Sequence, residues 1–158
     1  MAPLIRFYCA QDRAATQLIY YRAIREGTVT VLDEAQRAAW GPSANPDFAS
    51  PDKLLDQWCW IAEKGGRATG FMSLCPDGLL DMAFVIPEVM GKGTAAALYD
   101  TLLAWARQER LSKMTVVASE FSRQFLLRRG WQIDNAGPEV HDGQIYHLSH
   151  MSLTLSSV

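Results

Sequence analysis

The chain has 158 residues, 49% of them hydrophobic and 20% charged, with a formal net charge of −2. That length gives one domain with a real core, taken here as residues 1–158. The weak charge supplies no field for nucleic acid or an anionic membrane, and no apolar run approaches the roughly 18 residues that span a bilayer.

Residues 4–9 read as a first strand. Over 11–26, Ala14, Leu18, Tyr21 and Ile24 fall near helical spacing, which predicts an amphipathic helix stopped by Gly27. Asp33 is a natural N-cap for a second helix running to Trp40, and Gly41-Pro42 ends it. Residues 41–51 hold Pro42, Pro46 and Pro51 among small and polar residues and read as a loop. Ser50-Pro51 suits the cap and first turn of a short helix over 51–56. From residue 57 the period changes to two. Strands are expected at 58–62, 68–75 and 79–86, joined by turns at Gly65-Gly66 and Pro76-Asp77-Gly78. The third is nearly all apolar, as a central strand covered on both faces would be. A long helix over about 93–109 carries Leu98, Leu102, Trp105 and Ala106 on one stripe. A buried strand at 114–118 and a helix at 120–128, ended by Gly130, follow. The last strands, 131–133 and 144–155, are joined through Gly137-Pro138 and Asp142-Gly143. The order β-α-α-β-β-β-α-β-α-β-β belongs to the α/β class.

Residues 84–98 carry the strongest chemical signal. An apolar strand ends at Pro87, a short loop holds Gly91, Lys92 and Gly93, and a helix opens on Thr94, Ala95, Ala96 and Ala97. Bare backbone N–H groups at such a helix start suit a phosphate, and small side chains let a ligand approach the backbone.

This loop and the element order resemble the GNAT acetyltransferase superfamily, over about residues 4–153. The superfamily's pyrophosphate loop has Gln or Arg, two free positions, Gly, one free position, then Gly or Ala. Met90, Gly93 and Ala95 stand at those places, so Met90 replaces the usual polar residue. The resemblance implies a single-domain GNAT-like fold, with a mixed, mostly antiparallel twisted sheet of six or seven strands flanked by four helices. It also implies acetyl-coenzyme A. The loop from Met90 through Gly91, Lys92, Gly93, Thr94, Ala95 and Ala96 would hold the pyrophosphate, with Lys92 adding charge or lying solvated. The edge of Phe84 and Val85 would pair with the pantetheine arm. Residues 119–131 resemble a second superfamily segment, Asn-x-x-Ala-x-x-Phe-Tyr-x-x-x-Gly-Phe, through Phe125, Gly130 and Trp131. Ser119 stands where Asn is frequent, and Leu126 where the usual tyrosine acid is found. Ser119 and Arg123 are further candidates to touch the cofactor.

Acetyl transfer to an amine needs a base for the amine proton, a donor for the oxyanion, and a proton or dipole for the thiolate. Asp81 is the only charged side chain in the run 79–86. By strand period it shares a face with Ala83 and Val85, which makes it the candidate base. The alternative is that Asp81 lies just past the Pro76-Asp77-Gly78 turn, near the strand's solvated start, and pairs with an arginine. Tyr146 is the first candidate acid and Tyr99 the second, although each reads more readily as a core or interface aromatic. His141, His147 and His150 are close in sequence, but His147 and His150 face opposite sides of a strand and make no metal cluster. No metal is implied. Tyr20, Tyr21, Arg22, Glu26 and Trp40 are candidates to line an acceptor groove, although Arg22 and Glu26 also suit an i, i+4 surface pair. Trp58 and Trp60 share a face and suit sheet packing.

Cys9, Cys59 and Cys75 match no zinc or redox spacing, and each lies in an apolar segment, which predicts buried reduced thiols. With no charged and apolar leader at the N-terminus, a cytoplasmic location is the expectation. The implied activity is direct acetyl transfer from acetyl-CoA to a primary amine of a small molecule, peptide or protein. The alternative is a non-catalytic acyl-CoA sensor of the same fold. A different nucleotide-binding domain fits less well, because the loop lacks both a P-loop and a full Gly-x-Gly-x-x-Gly pattern. The apolar C-terminal strands suit pairing in a homodimer.

Overall fold

In the computed structural model, residues 2–45 and 52–155 are described. The order is β1 (Leu4–Phe7), α1 (Arg13–Arg25), α2 (Glu34–Trp40), β2 (Trp58–Lys64), β3 (Arg67–Leu74), β4 (Leu80–Val85), α3 (Thr94–Gln108), β5 (Lys113–Ser119), α4 (Glu120–Leu127), β6 (Gln132–His141) and β7 (Gln144–Thr154). This is the expected succession of helices and strands. The strands make two sheets, ordered β1-β2-β3-β4 and β5-β7-β6, antiparallel throughout. One parallel bridge, Leu79 to Thr115, joins the sheets. Beyond that bridge β4 and β5 part.

The edge position of β4 corrects the expectation of a central strand, although helices α1 and α3 both pack on it. It pairs with β3 alone, and Ala83 is exposed. Its apolar run reflects contact with α1 and α3 rather than burial between two strands.

Local sequence explains most boundaries. Asp33 caps α2 by accepting the Gln36 N–H at 2.8 Å, and Gln36 Oε1 accepts the Asp33 N–H at 2.8 Å. The proposed Ser50-Pro51 helix start lies outside the described residues. A 3-10 turn, Lys53–Asp56, follows Asp52, whose Oδ1 accepts the Leu54 N–H. Helix α1 turns a different face inward than its apolar spacing predicts. Leu18 is 47% exposed, while Thr16, Gln17, Ile19, Ala23 and Ile24 are buried. Thr16 and Gln17 tolerate burial because they donate to the carbonyls of Arg13 and Ser43. Strand β6 runs straight through Gly137-Pro138, and only Asp142-Gly143 makes the turn to β7. A proline is accommodated there because β6 is an outer strand.

Tyr99, Leu98 and Leu102 of α3 join Phe71, Ile61, Leu74, Met114 and Met151 of the sheets in the fully buried centre. Trp58 and Trp60 pack on Trp105 of α3, with ring centroids 5.8 and 6.1 Å away. The cysteines are free, but only Cys59 is buried, with its thiol pushed up to about 12 by that burial; Cys9 is exposed. Cys9 lies just past the end of β1. No helix among the described residues is long and apolar enough to cross a membrane.

Arg6 ties β1 to the start of α1, with two guanidinium nitrogens each 2.8 Å from the Asp12 carboxylate. That pairing holds the Asp12 carboxyl down to about 2. A depressed folded pKa stabilises the fold above about pH 4 and loses that contribution as pH falls toward 2. Asp12→Asn is therefore expected to lower stability by about 2 kcal/mol at neutral pH and to flatten the acid limb. Urea unfolding at stepped pH measures both.

Candidate active site

The site candidates gather where the two sheets part. Ile86 N–H donates to Thr69 O at 2.9 Å, so Phe84, two residues back, also turns its backbone toward β3. Ala83 and Val85 therefore present their N–H and C=O groups to the open side. This moves the free main-chain groups from the predicted Phe84-Val85 to Ala83 and Val85. The Phe84 ring instead packs edge-on against Tyr20 at 4.9 Å.

The strand leads through a 3-10 turn, Pro87–Val89, into the glycine loop. Gly91 and Gly93 have φ of 75° and 90°, and a Cβ built on either meets nothing within 4 Å. Gly93 is the N-cap of α3 and supplies no side-chain cap. The first helix bond is Ala97 N–H to Gly93 O at 3.0 Å, so the amides of Thr94, Ala95 and Ala96 precede the helix's own ladder. Lys92 differs from its neighbours: its N–H donates to Val89 O at 3.1 Å, and its side chain is exposed. The predicted set thus has two amides tied within the loop, Lys92 and Met90, the latter donating to Pro87 O at 3.2 Å. Met90 turns inward and packs against the core. A Cβ on Gly27, at the end of α1, would sit 2.3 Å from Met90 Cε. Met90 therefore anchors the loop to α1 by packing, in place of a polar contact.

Across the opening, Ser119 ends β5 and Arg123 lies in α4. Counted from the Leu79–Thr115 bridge, Ala83 and Ser119 are each four residues on. Ser119 Oγ lies 3.4 Å from Ser122 Oγ. Arg123 is half-buried and has no carboxylate partner among the described residues.

Asp81 sits at a β-bulge. Leu80 pairs with Leu74 and Met82 with Ser73, which leaves Asp81 as the extra residue. Strict alternation with Ala83 and Val85 therefore fails there, and contacts fix its direction. Lys53 Nζ lies 3.0 Å from Asp81 Oδ2, and Gln57 Nε2 donates to the same oxygen at 2.9 Å. The carboxylate is 23% exposed and paired, as the alternative reading of Asp81 expected, although its partner is a lysine. The other end of the Gln57 amide, Oε1, is buried without a partner among the described residues. Such an orphan typically costs about 1–3 kcal/mol. Lys53 and Gln57 escaped sequence reasoning because only the tertiary fold brings residues 53–57 to residue 81.

Both candidate acids are buried and hydrogen-bonded within the fold. Tyr146 is 6% exposed and its hydroxyl donates to Gln36 O at 2.8 Å, which latches β7 to α2; burial pushes that hydroxyl up. Tyr99 is 2% exposed, and its oxygen accepts Trp131 Nε1–H at 2.8 Å. Leu126 is 4% exposed, inside the core. The acceptor-groove candidates divide. Tyr20 and Trp40 meet Phe84 and Tyr146 in one aromatic cluster, and burial first, then Tyr146 and Asp142, pushes the Tyr20 hydroxyl up to about 12. Tyr21 lies under Arg25, while Arg22 pairs with Glu26 and Glu88 on the surface. His150 and His141 lie 2.6 and 3.6 Å from Glu139. Among the described residues no His, Cys, Asp or Glu group is arranged to hold a metal.

Residues 32–155 match a family model described as an acetyltransferase (GNAT) domain. The uncharacterized N-acetyltransferase YafP of Escherichia coli (strain K12) is 29% identical over 128 residues, which is 81% of this chain and 80% of that protein. A crystal structure from Rhodopseudomonas palustris, named as the GCN5-related N-acetyltransferase "Aminotransferase, Class-II", has a TM-score of 0.90 at 27% identity. It covers 98% of this chain and 97% of its own. The structure of yncA from Salmonella typhimurium with its cofactor acetyl-CoA shares the fold, with a TM-score of 0.69 at 22% identity, covering 99% and 95%.

Proposed function

The chain belongs to the GNAT acetyltransferase family, and on that premise we propose that it binds acetyl-CoA and transfers the acetyl group directly to a primary amine. One observation carries the reading: an uncapped helix start on a twin-glycine turn lies just beyond the unpaired edge of β4. The space around Gly91 and Gly93 and the free amides there fit a pyrophosphate. The outward groups of Ala83 and Val85 fit an amide-bearing arm laid alongside as a strand. Acetyl-CoA supplies the activated acetyl thioester.

The protein's own groups supply the rest. A primary ammonium, with a pKa of about 10.4, sheds its first proton to solvent. Asp81 takes the second as the attacking nitrogen becomes acidic. An outward N–H of β4 steadies the carbonyl oxygen as charge builds on it. No side chain is assigned to protonate sulfur, since a thiol pKa of about 8.5 lets water serve. Tyr20, Trp40 and Phe84 would form the apolar wall on the acceptor side. We place the activity in one cytoplasmic domain, and the exposed Ile133, Val140 and Ile145 favour self-association through the C-terminal hairpin.

A second reading, an acyl-CoA sensor without turnover, is favoured by Tyr146, whose O–H goes to Gln36 O, and by the burial of Tyr99. The deciding experiment combines acetyl-CoA binding by calorimetry with thiol release against a panel of small amines and amine-bearing peptides. Binding with turnover is expected. Binding with no turnover on any amine points to the sensor, and no binding removes both readings.

A further inference from the structure

Among the described residues two buried side-chain atoms lack a partner, Trp105 Nε1 and Gln57 Oε1, and the second lies beside a carboxylate. The amide orientation of Gln57 is fixed, because a flipped amide would set Oε1 against the Asp81 oxygen. The consequence is a buried acceptor without a donor, beside a carboxylate whose two located donors, Lys53 and Gln57, both sit on Oδ2. Oδ1 is left for something else. The bulge that lifts Asp81 out of register adds a third, independent sign, since bulges re-aim side chains. Lys53 is itself exposed, so the charge of the pair is accessible, while the amide that orients it is sheltered.

We propose that Gln57 is a positioning residue for Asp81: it pins Oδ2 so that Oδ1 faces the incoming amine. This rests on the acetyltransferase reading above. Its carbonyl end goes unpaired because the side chain is arranged for the carboxylate rather than for its own surroundings. Oδ1 then suits an amine nucleophile, which turns one N–H to the carboxylate while its lone pair meets the thioester.

Positioning and packing roles give opposite results when Gln57 is replaced by leucine. A leucine of similar size removes the orphan, so the thermal midpoint of Gln57→Leu should hold or rise. Its kcat should fall about tenfold or more, within the range of a disturbed general base, while the calorimetric affinity for acetyl-CoA stays as in the parent. Because Gln57 acts through Asp81, Gln57→Leu should cost nothing further in an Asp81→Asn background. The assay uses acetyl-CoA with whichever panel amine turns over fastest. A fall in midpoint together with kcat, full activity, or additive losses in the double variant would each overturn the proposal alone. A parent protein that binds acetyl-CoA and acetylates no amine would overturn the acetyltransferase reading and this proposal with it.

Discussion

Gly93→Val is expected to weaken acetyl-CoA binding about a hundredfold, roughly 2.7 kcal/mol, while the protein still folds. Gly93 holds φ 90° and ψ 0°, where a β-branched residue is strained by about 1–3 kcal/mol. Space is not the obstacle within the protein, because a Cβ there meets nothing within 4 Å. The obstacle concerns the ligand. The same open space is what a pyrophosphate must enter to reach the amides of Thr94, Ala95 and Ala96, and two methyl groups would stand in it. Calorimetry gives the affinity, and the rise in melting temperature on adding acetyl-CoA should largely vanish. Lys92→Ala is the control: its amide is tied to Val89 and its side chain is solvated, so affinity should change little. Gly93→Val binding as tightly as the parent would take the loop out of cofactor binding.

The difference between Gly93 and Lys92 shows how far residue order reads through to the site. Signals that act within a few residues were legible. Asp33 caps α2 with Gln36, glycines stand where φ is positive, and alternating residues make strands, because each depends on neighbours in the chain. The two-sheet division was not legible. It depends on the sheets being bridged at Leu79 and Thr115, just ahead of β4, a pairing across 36 positions that no local pattern encodes. Polar partners were hidden for the same reason. Gln17 reads as surface until Ser43 O is brought to it, and Tyr146 reads as a free phenol until Gln36 O is. Met90 looked like the loss of a polar anchor. The structure shows a replacement, since its side chain fills the space that Gly27 leaves open. In each case the sequence names the residue type, and the distant partner decides what it does.

That rule applies most sharply to Asp81. Spacing alone makes it a lone carboxylate in an apolar strand; the fold gives it Lys53 and Gln57 on one oxygen. Asp81→Asn separates the two meanings, because it keeps the shape and removes the charge. As a base, Asp81 takes the proton released while the C–N bond forms, a contribution typically worth about 10²–10⁴ in rate. We expect kcat for the preferred amine to drop by about 10² or more. Acetyl-CoA affinity should stay within about twofold, because the loop and the outward groups of Ala83 and Val85 lie further along the chain. Stability should change little: Lys53 is 53% exposed, and a solvated ion pair contributes at most about 1 kcal/mol. Were Asp81 only the partner of Lys53, the variant would lose a fraction of that stability and keep its turnover. Lys53→Met supplies the complementary observation. It removes the ion pair but leaves the carboxylate and its Gln57 contact, so kcat should fall far less than in Asp81→Asn. Equal losses in the two variants would mean that the ion pair, rather than proton transfer at Asp81, limits the reaction.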